Sequence, residues 1–337
     1  MIKKSSLSPI IRMAGILDSS ACQYIGVQVP PGKPPAFYRS SNISFIQSEG
    51  FNSPAVRHFV SFPHLQDCLR ASADNLELSV DANGIVCVES VDGAYKNFLH
   101  VHTVREGGTG VKYHDIGEPG SEHIDPMALS GLDVDSLELS QQPSLEEGTI
   151  FLVTQAGVAK WQVPDALKNV KLHPRKSFLK FACGGKLDSL AISGRGYWVA
   201  QREGIVGCFS SHDIKDPQRQ VYNVPGTVIA VVDAARLVSA LRSVLVLCEK
   251  TDKVEVSSDK GVACRDRFGN EATFSLGTPS APWGKFIVTG LIAEFLVAVL
   301  GQSPDKEAAI QNISPVAVGP AMRISRGAFD VDFRVLG

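Results

Sequence analysis

His100 and His102 alternate with Val101, which puts two imidazoles on one face of an extended strand, and His114 or His123 could complete a metal site with them. No carboxylate stands at a fixed spacing from the pair, so the same residues also read as an ordinary strand surface. The runs Gly184-Gly185-Lys186 and Gly194-Arg195-Gly196 have the residue types of phosphate loops, but neither completes GxxxxGK[ST] or GxGxxG ahead of a helix, and both are expected to be hairpin turns. Asp133, Asp135, Glu138, Glu146 and Glu147 match no calcium-loop spacing and read as a solvated linker. There is no GxSxG elbow, HExxH helix or CxxC pair, and scattered Ser, His and Asp residues define no triad without geometry. The seven cysteines, at positions 22, 68, 87, 183, 208, 248 and 264, are widely spaced. They are expected to be reduced core residues forming neither a disulfide framework nor a zinc site. No cofactor is expected.

A chain of 337 residues, 44% of them apolar, can build two or three domains with real cores. Its longest apolar run, Leu291 to Leu300, is interrupted by Glu294 and is too short to span a bilayer. The opening Met1-Ile2-Lys3-Lys4-Ser5-Ser6 lacks the apolar stretch and cleavage site of a secretory signal, so a cytoplasmic location is expected. A formal net charge of −2 excludes binding to nucleic acid through bulk positive excess. Any such contact needs locally segregated basic residues.

The elements that must position these residues repeat. Phe59 to Phe62 read as a strand, Pro63 to Ala73 as a helix, and Leu76-Glu77-Leu78-Ser79-Val80-Asp81, a turn ending at Gly84 and Ile85 to Glu89 as a strand hairpin. Residues 228 to 276 repeat that order, with Val254-Glu255-Val256-Ser257-Ser258-Asp259, Gly261 and Val262-Ala263-Cys264-Arg265 as the matching hairpin. The shared phrase is apolar-Glu-apolar-Ser-x-Asp before a glycine turn, which gives a βαβββ unit. In Asp233 to Val246 an apolar stripe of Leu237, Leu241, Val244 and Leu245 lies opposite Arg236, Ser239, Arg242 and Ser243, with Asp233 as the N-cap. Further helices are expected from Ser8-Pro9 to Leu17, Asp125 to about Asp135, Pro164 to Leu172 and Thr289 to Gly301. Six helix starts imply units of about 56 residues, paired into three domains of about 112. Residues 105 to 148, with Glu106-Gly107-Gly108-Thr109-Gly110, fit this least and could form a linker, which leaves five units or six.

This pattern resembles the DNA polymerase sliding clamps, particularly the bacterial beta-clamp type with three domains per chain. Its most specific local piece is Lys186 to Ala200, where Ser193-Gly194-Arg195-Gly196 looks like the threonine-aspartate-glycine-basic turn of the family. The resemblance implies an α+β DNA clamp fold of repeated βαβββ units, with clamp domains at residues 1–110, 111–225 and 226–337. It implies a head-to-tail ring around duplex DNA, sheets outside and helices inside, that tethers a DNA polymerase, is opened by a clamp loader and catalyses nothing. Closing a ring also removes open sheet edges. Basic residues on the inner helix faces would then contact phosphates without reading sequence. The candidates are Arg12, Arg70, Lys168, Lys171, Arg175, Lys176, Arg236 and Arg242, of which the run from Lys168 to Lys176 is the densest. The final helix, Gly290 to Leu300, has no basic residue and is apolar nearly all round, so it either stands apart from DNA or packs its second face on a neighbour. Partner docking on an apolar groove would involve the tail residues Val335 and Leu336. Three domains predict a homodimer and two a homotrimer. Two other readings stand beside this one: a non-catalytic β-rich virion or scaffold protein, and a histidine-metal enzyme.

Overall fold

The computed structural model describes the chain except for residues 1, 18–22, 31–32, 52–57, 81–84, 93–94, 102, 106–108, 110, 112, 115–121, 214–223, 278–281, 314–319 and 337. In chain order it begins with β1 (Ile2–Lys3), α1 (Lys4–Ala14), β2 (Tyr24–Gln28), β3 (Ala36–Ser40) and β4 (Ser44–Ser48). Next come β5 (His58–Ser61), α2 (Phe62–Ala71), β6 (Asn75–Val80), β7 (Val86–Asp92), β8 (Tyr95–Val101) and β9 (Thr103–Arg105). The middle of the chain holds β10 (Glu122–Ile124), a 3-10 turn (Pro126–Leu129), β11 (Ser144–Glu146), β12 (Thr149–Val153), β13 (Gly157–Gln162), α3 (Asp165–Lys168), α4 (Lys176–Cys183), β14 (Ser189–Ile192), β15 (Tyr197–Arg202) and β16 (Ile205–Ser210). The last stretch runs β17 (Gly226–Asp233), α5 (Ala234–Val244), β18 (Lys253–Ser257), β19 (Gly261–Arg265), β20 (Glu271–Phe274), β21 (Lys285–Thr289), α6 (Gly290–Leu300), β22 (Glu307–Ile313), β23 (Ala321–Arg326) and β24 (Phe329–Arg334). The strand-helix-three-strand order therefore recurs, and every named strand pairing is antiparallel.

The chain forms two compact units. Residues 1–127 and 177–211 make the first, with a four-stranded sheet in the order β1-β6-β7-β8 and a nine-stranded sheet in the order β10-β14-β15-β16-β4-β3-β2-β5-β9. Its helices bury one stripe each: Leu7, Ile10 and Met13 of α1, Phe62, Leu65 and Leu69 of α2, and Phe178, Leu179 and Phe181 of α4. The Phe178 ring stacks on Trp198 at 4.7 Å between centroids, which fixes α4 on β15. Residues 128–176 and 212–337 make the second unit, with a seven-stranded sheet in the order β11-β12-β13-β24-β23-β22-β17 and a four-stranded sheet in the order β20-β19-β18-β21. Leu237, Leu241 and Val244 of α5 and Ala293, Leu296 and Leu300 of α6 are fully buried there. Asp233 caps α5 by accepting the Arg236 N–H at 2.8 Å, and Thr289 caps α6 through the Ile292 N–H at 3.4 Å.

One device recurs at helix C-termini, where the last carbonyls have no intrahelical donor. Arg39 of β3 is 1% exposed, donates from Nη1 to the Ala14 and Leu17 carbonyls at the end of α1, and lies 4.0 Å over the Phe62 ring. Arg202 of β15, 2% exposed, donates to the Phe181 carbonyl of α4 at 2.9 Å. Arg326 of β23 donates to the Leu300 carbonyl of α6 and to the Asp305 carbonyl. In each case the middle strand of a three-stranded run sends a cation to the negative end of the helix macrodipole.

Several expectations need correction. The helix anticipated from Pro164 to Leu172 is the single turn α3. The full helix is α4, because the residue before Pro174 is biased out of the helical region and the apolar stripe begins only at Phe178. The helix anticipated from Asp125 shrinks to the 3-10 turn, but the stretch after it is packed, with Leu132, Val134 and Leu137 buried. Helix α1 starts at Lys4 and carries Pro9 inside it rather than opening on it. Gly184-Gly185 is no hairpin. It follows α4 and lies against Arg202, whose Nη1 would stand 2.7 Å from a Cβ at Gly184. Cys248 and Cys264, expected to be reduced, are joined by a disulfide with their Cα atoms 6.7 Å apart. The glycine run Glu106–Gly108 and Gly110, the turn at 81–84, Cys22 and His102 lie outside the described residues, as does the His100 side chain.

Candidate nucleic-acid and partner interfaces

Arg12 and Arg70 sit in the last turns of α1 and α2, both exposed, and line one notch of about 200 Å³ with Leu7, Ile11 and Leu69 between the two helices. Two guanidinium groups at one notch can bind a phosphate by charge-assisted hydrogen bonds without touching a base. Arg70 also approaches Asp67 at 3.3 Å, but both side chains are at least 70% exposed, so the pair is weak.

The run from Lys168 to Lys176 does not form one helical face. Lys168 closes α3 and pairs with Asp165 at 2.6 Å, and that hydrogen bond holds the Asp165 carboxyl below its ordinary range. Lys171 is exposed on the irregular chain that follows. Arg175 is half-buried, and desolvation lowers its pKa. The Lys176 N–H donates to Gln142 Oε1 at 2.9 Å. Close by, the His173 and His212 rings lie 5.9 Å apart, and burial first, then Arg175 and His173, push the His212 pKa below its ordinary value. On α5, Arg236 and Arg242 are exposed on the side away from the buried stripe.

A cavity of about 370 Å³ opens in the second unit between residues 136–140, the β12–β13 turn at 154–156, and Leu291, Glu294, Phe295 and Ala298 of α6. Lys176 and Lys250 also line it, and Lys250 Nζ stands 3.7 Å from Glu138 Oε2. The Gln302 side chain, just past α6, ties to residue 133, ahead of the 136–140 stretch, accepting the Asp133 N–H at 2.7 Å and donating to the Asp133 carbonyl at 2.9 Å. This explains why α6 is apolar nearly all round: one side packs on the sheets and another faces the cavity. Beyond the same hairpin, Val153 and Val158 join Phe151, Ile313 and Ala321 in an apolar cluster against which Val224 packs. The tail is tied by its backbone, the Val335 N–H to the Pro320 carbonyl and the Leu336 N–H to the Ile287 carbonyl, while the Leu336 side chain is exposed.

His114 holds the Ser41 carbonyl at 2.7 Å through a ring nitrogen, and His123 is exposed on β10. Among the described residues, no group of three His, Cys, Asp or Glu is placed to hold a metal ion. Among them, too, no helix is long and apolar enough to cross a membrane.

No protein-family model and no curated protein matches the chain. Solved structures do. The DNA polymerase sliding clamp from Bacillus subtilis superposes with a TM-score of 0.70 at 10% identity, and the beta sliding clamp of C. crescentus with 0.68 at 13%; each match covers 100% of this chain and 98% of the other. The Helicobacter pylori beta clamp, solved with a DNA ligase peptide, gives 0.65 at 11% identity over 100% of this chain and 99% of that one. The chain therefore has, along its whole length, the α+β fold of the bacterial beta sliding clamps.

Proposed function

We propose that this chain is a sliding clamp, a non-catalytic cytoplasmic ring that encircles duplex DNA and holds a DNA polymerase to it. The observation that carries the reading is the end-to-end likeness to clamps, with almost nothing left over in either chain, combined with exposed arginines on α1, α2 and α5. The proposal includes three clamp domains at residues 1–110, 111–225 and 226–337, two copies per ring, and a clamp loader to open it. Phosphates would meet Arg12, Arg70, Lys168, Lys171, Arg175, Lys176, Arg236 and Arg242, none of which needs to read a base.

The ring would close by strand addition. Among the described residues β8 and β20 are end strands of the two four-stranded sheets, and β20 ends on Phe274, 40% exposed, close in sequence to Phe268, 76% exposed. Pairing β20 of one copy with β8 of the next would cover both edges. A partner peptide would dock in the cavity beside α6 and along the apolar cluster beyond the β12–β13 hairpin, with Val335 and Leu336 at its margin. The Helicobacter pylori clamp, with its bound ligase peptide, is the precedent for that kind of occupant. Sedimentation equilibrium tests the ring: the expected mass is twice that of the chain, and Phe274→Asp lowers it to one chain. A wild-type protein that sediments as a single chain at micromolar concentration overturns the reading.

A further inference from the structure

Helices α1, α4 and α6 each end against a buried arginine from the middle strand of their three-stranded run. Helix α5 does not. On its middle strand, β19, the terminal Arg265 is exposed, and the residue before it, Cys264, is bonded to Cys248 in the turn that follows α5. The disulfide thus joins the middle strand to the end of the helix, as a guanidinium does for α1, α4 and α6. We propose that Cys248–Cys264 is a reversible thiol–disulfide couple that ties the C-terminal end of α5 to β19, so that its oxidation state sets the order of that helix end.

Access favours exchange at one sulfur. Cys248 is half-buried and Cys264 is 2% exposed, so an incoming thiolate meets Cys248 Sγ first and Cys264 is the leaving thiolate. With a small dithiol as reductant, the first step forms a mixed disulfide on Cys248 and breaks the Cys248–Cys264 bond. The second thiol of the reagent then attacks the mixed disulfide and releases Cys248. The reagent leaves as a cyclic disulfide, and its two protons end on the two cysteines. A small-molecule disulfide reverses the sequence. In a reducing compartment the dithiol is the resting form, and oxidation tightens the helix end.

No buried apolar side chain holds residues 245 to 248. Val246 is 84% exposed and Leu247 39%, so neither anchors the turn. Among the described residues the other ties are the backbone bonds from Leu245 N–H to Leu241 and from Leu247 N–H to Val244, the Glu249 N–H to Asp252 Oδ2 at 2.8 Å with the Asp252 N–H returning to the Glu249 carbonyl, the Leu291 N–H to the Lys250 carbonyl, and the pair between Arg267 and Glu249 at 3.3 Å, with both side chains more than 60% exposed. Because α5 carries Arg236 and Arg242, the couple would also tune DNA contact, a consequence that rests on the clamp reading.

Hydrogen exchange followed by mass spectrometry tests the proposal on the full chain in three forms: oxidised with glutathione disulfide, reduced with dithiothreitol, and Cys248→Ser. Thiol titration in denaturant should find two fewer thiols in the oxidised form than in the reduced one. Amides from Val244 to Glu249 should exchange at least about tenfold faster in the reduced and Cys248→Ser forms, while the end of α6, held by Arg326, stays unchanged. Equal exchange in all three forms, or equal thiol counts before and after dithiothreitol, overturns the couple. Sedimentation of the oxidised protein is measured in parallel. A single-chain mass there defeats the clamp reading and leaves the couple to be judged by the exchange data alone.

Discussion

Replacing Arg326 by methionine removes a cation from a site that is only 7% exposed while keeping most of the side-chain volume. Two bonds go with it: Nε–H to the Asp305 carbonyl at 2.7 Å and Nη1–H to the Leu300 carbonyl at 2.5 Å. Hydrogen bonds with a charged partner contribute roughly 1.5–3 kcal/mol each, and the Leu300 carbonyl is left buried without a donor, while Asp305 is exposed and water can replace the donor there. Relief from burying a guanidinium offsets about half of that loss. The expected net cost is about 2–3 kcal/mol, placed at the end of α6. Urea unfolding measures it, with Arg334→Met, exposed on β24, as the control expected to stay within about 0.5 kcal/mol of wild type. An Arg326→Met protein as stable as that control would show that the buried arginines fill space and do not cap helices.

The buried trio in the second unit should be the most sensitive point of that unit. Asp332 is 0% exposed, with Lys160 Nζ at 2.7 Å and Arg323 Nε at 2.6 Å, so Asp332→Asn strands two cations and should cost about 3–5 kcal/mol by urea unfolding; a loss below about 1 kcal/mol would contradict this. The lowered His212 pKa gives a pH dependence of known sign. The folded chain keeps this imidazole neutral while the unfolded chain takes up a proton below its ordinary 6.5, so stability is complete above that pH and lost as the pH falls through the folded pKa. Thermal melts from pH 7.5 to 5 should show the loss, and His212→Gln should flatten it; identical profiles for the two proteins would refute the assignment.

The repeated phrase was legible because strand alternation and a glycine turn are local signals. Leu76 to Asp81 and Val254 to Asp259 carry it into the strand pairs β6–β7 and β18–β19. The Asp233 cap was legible for the same reason, since an acceptor ahead of an apolar stripe needs no tertiary information. Helix α4 was hidden because Pro164 offers a good start signal and the run Lys168 to Lys176 draws attention to a stretch that makes only one helical turn. The Cys248–Cys264 pair was invisible because neither its separation of 16 nor its flanking residues mark it. The cavity beside α6 joins residues near 138, 155 and 294, which no sequence period connects. Its one trace was an apolar helix with no polar face, a pattern that means cover on more than one side. The arginines likewise announced themselves only as charges, although Arg39, Arg202 and Arg326 are all buried in the fold.

The central claim is topological, so its most direct test is retention on DNA of different topology. Purified protein, loaded on nicked circular duplex and passed through a sizing column in high salt, should co-elute with the circle and be released when a restriction enzyme linearises it. Charge-only binding predicts loss from both forms as salt rises. Equal retention on circular and linear DNA, or none on either after loading, would contradict an encircling ring.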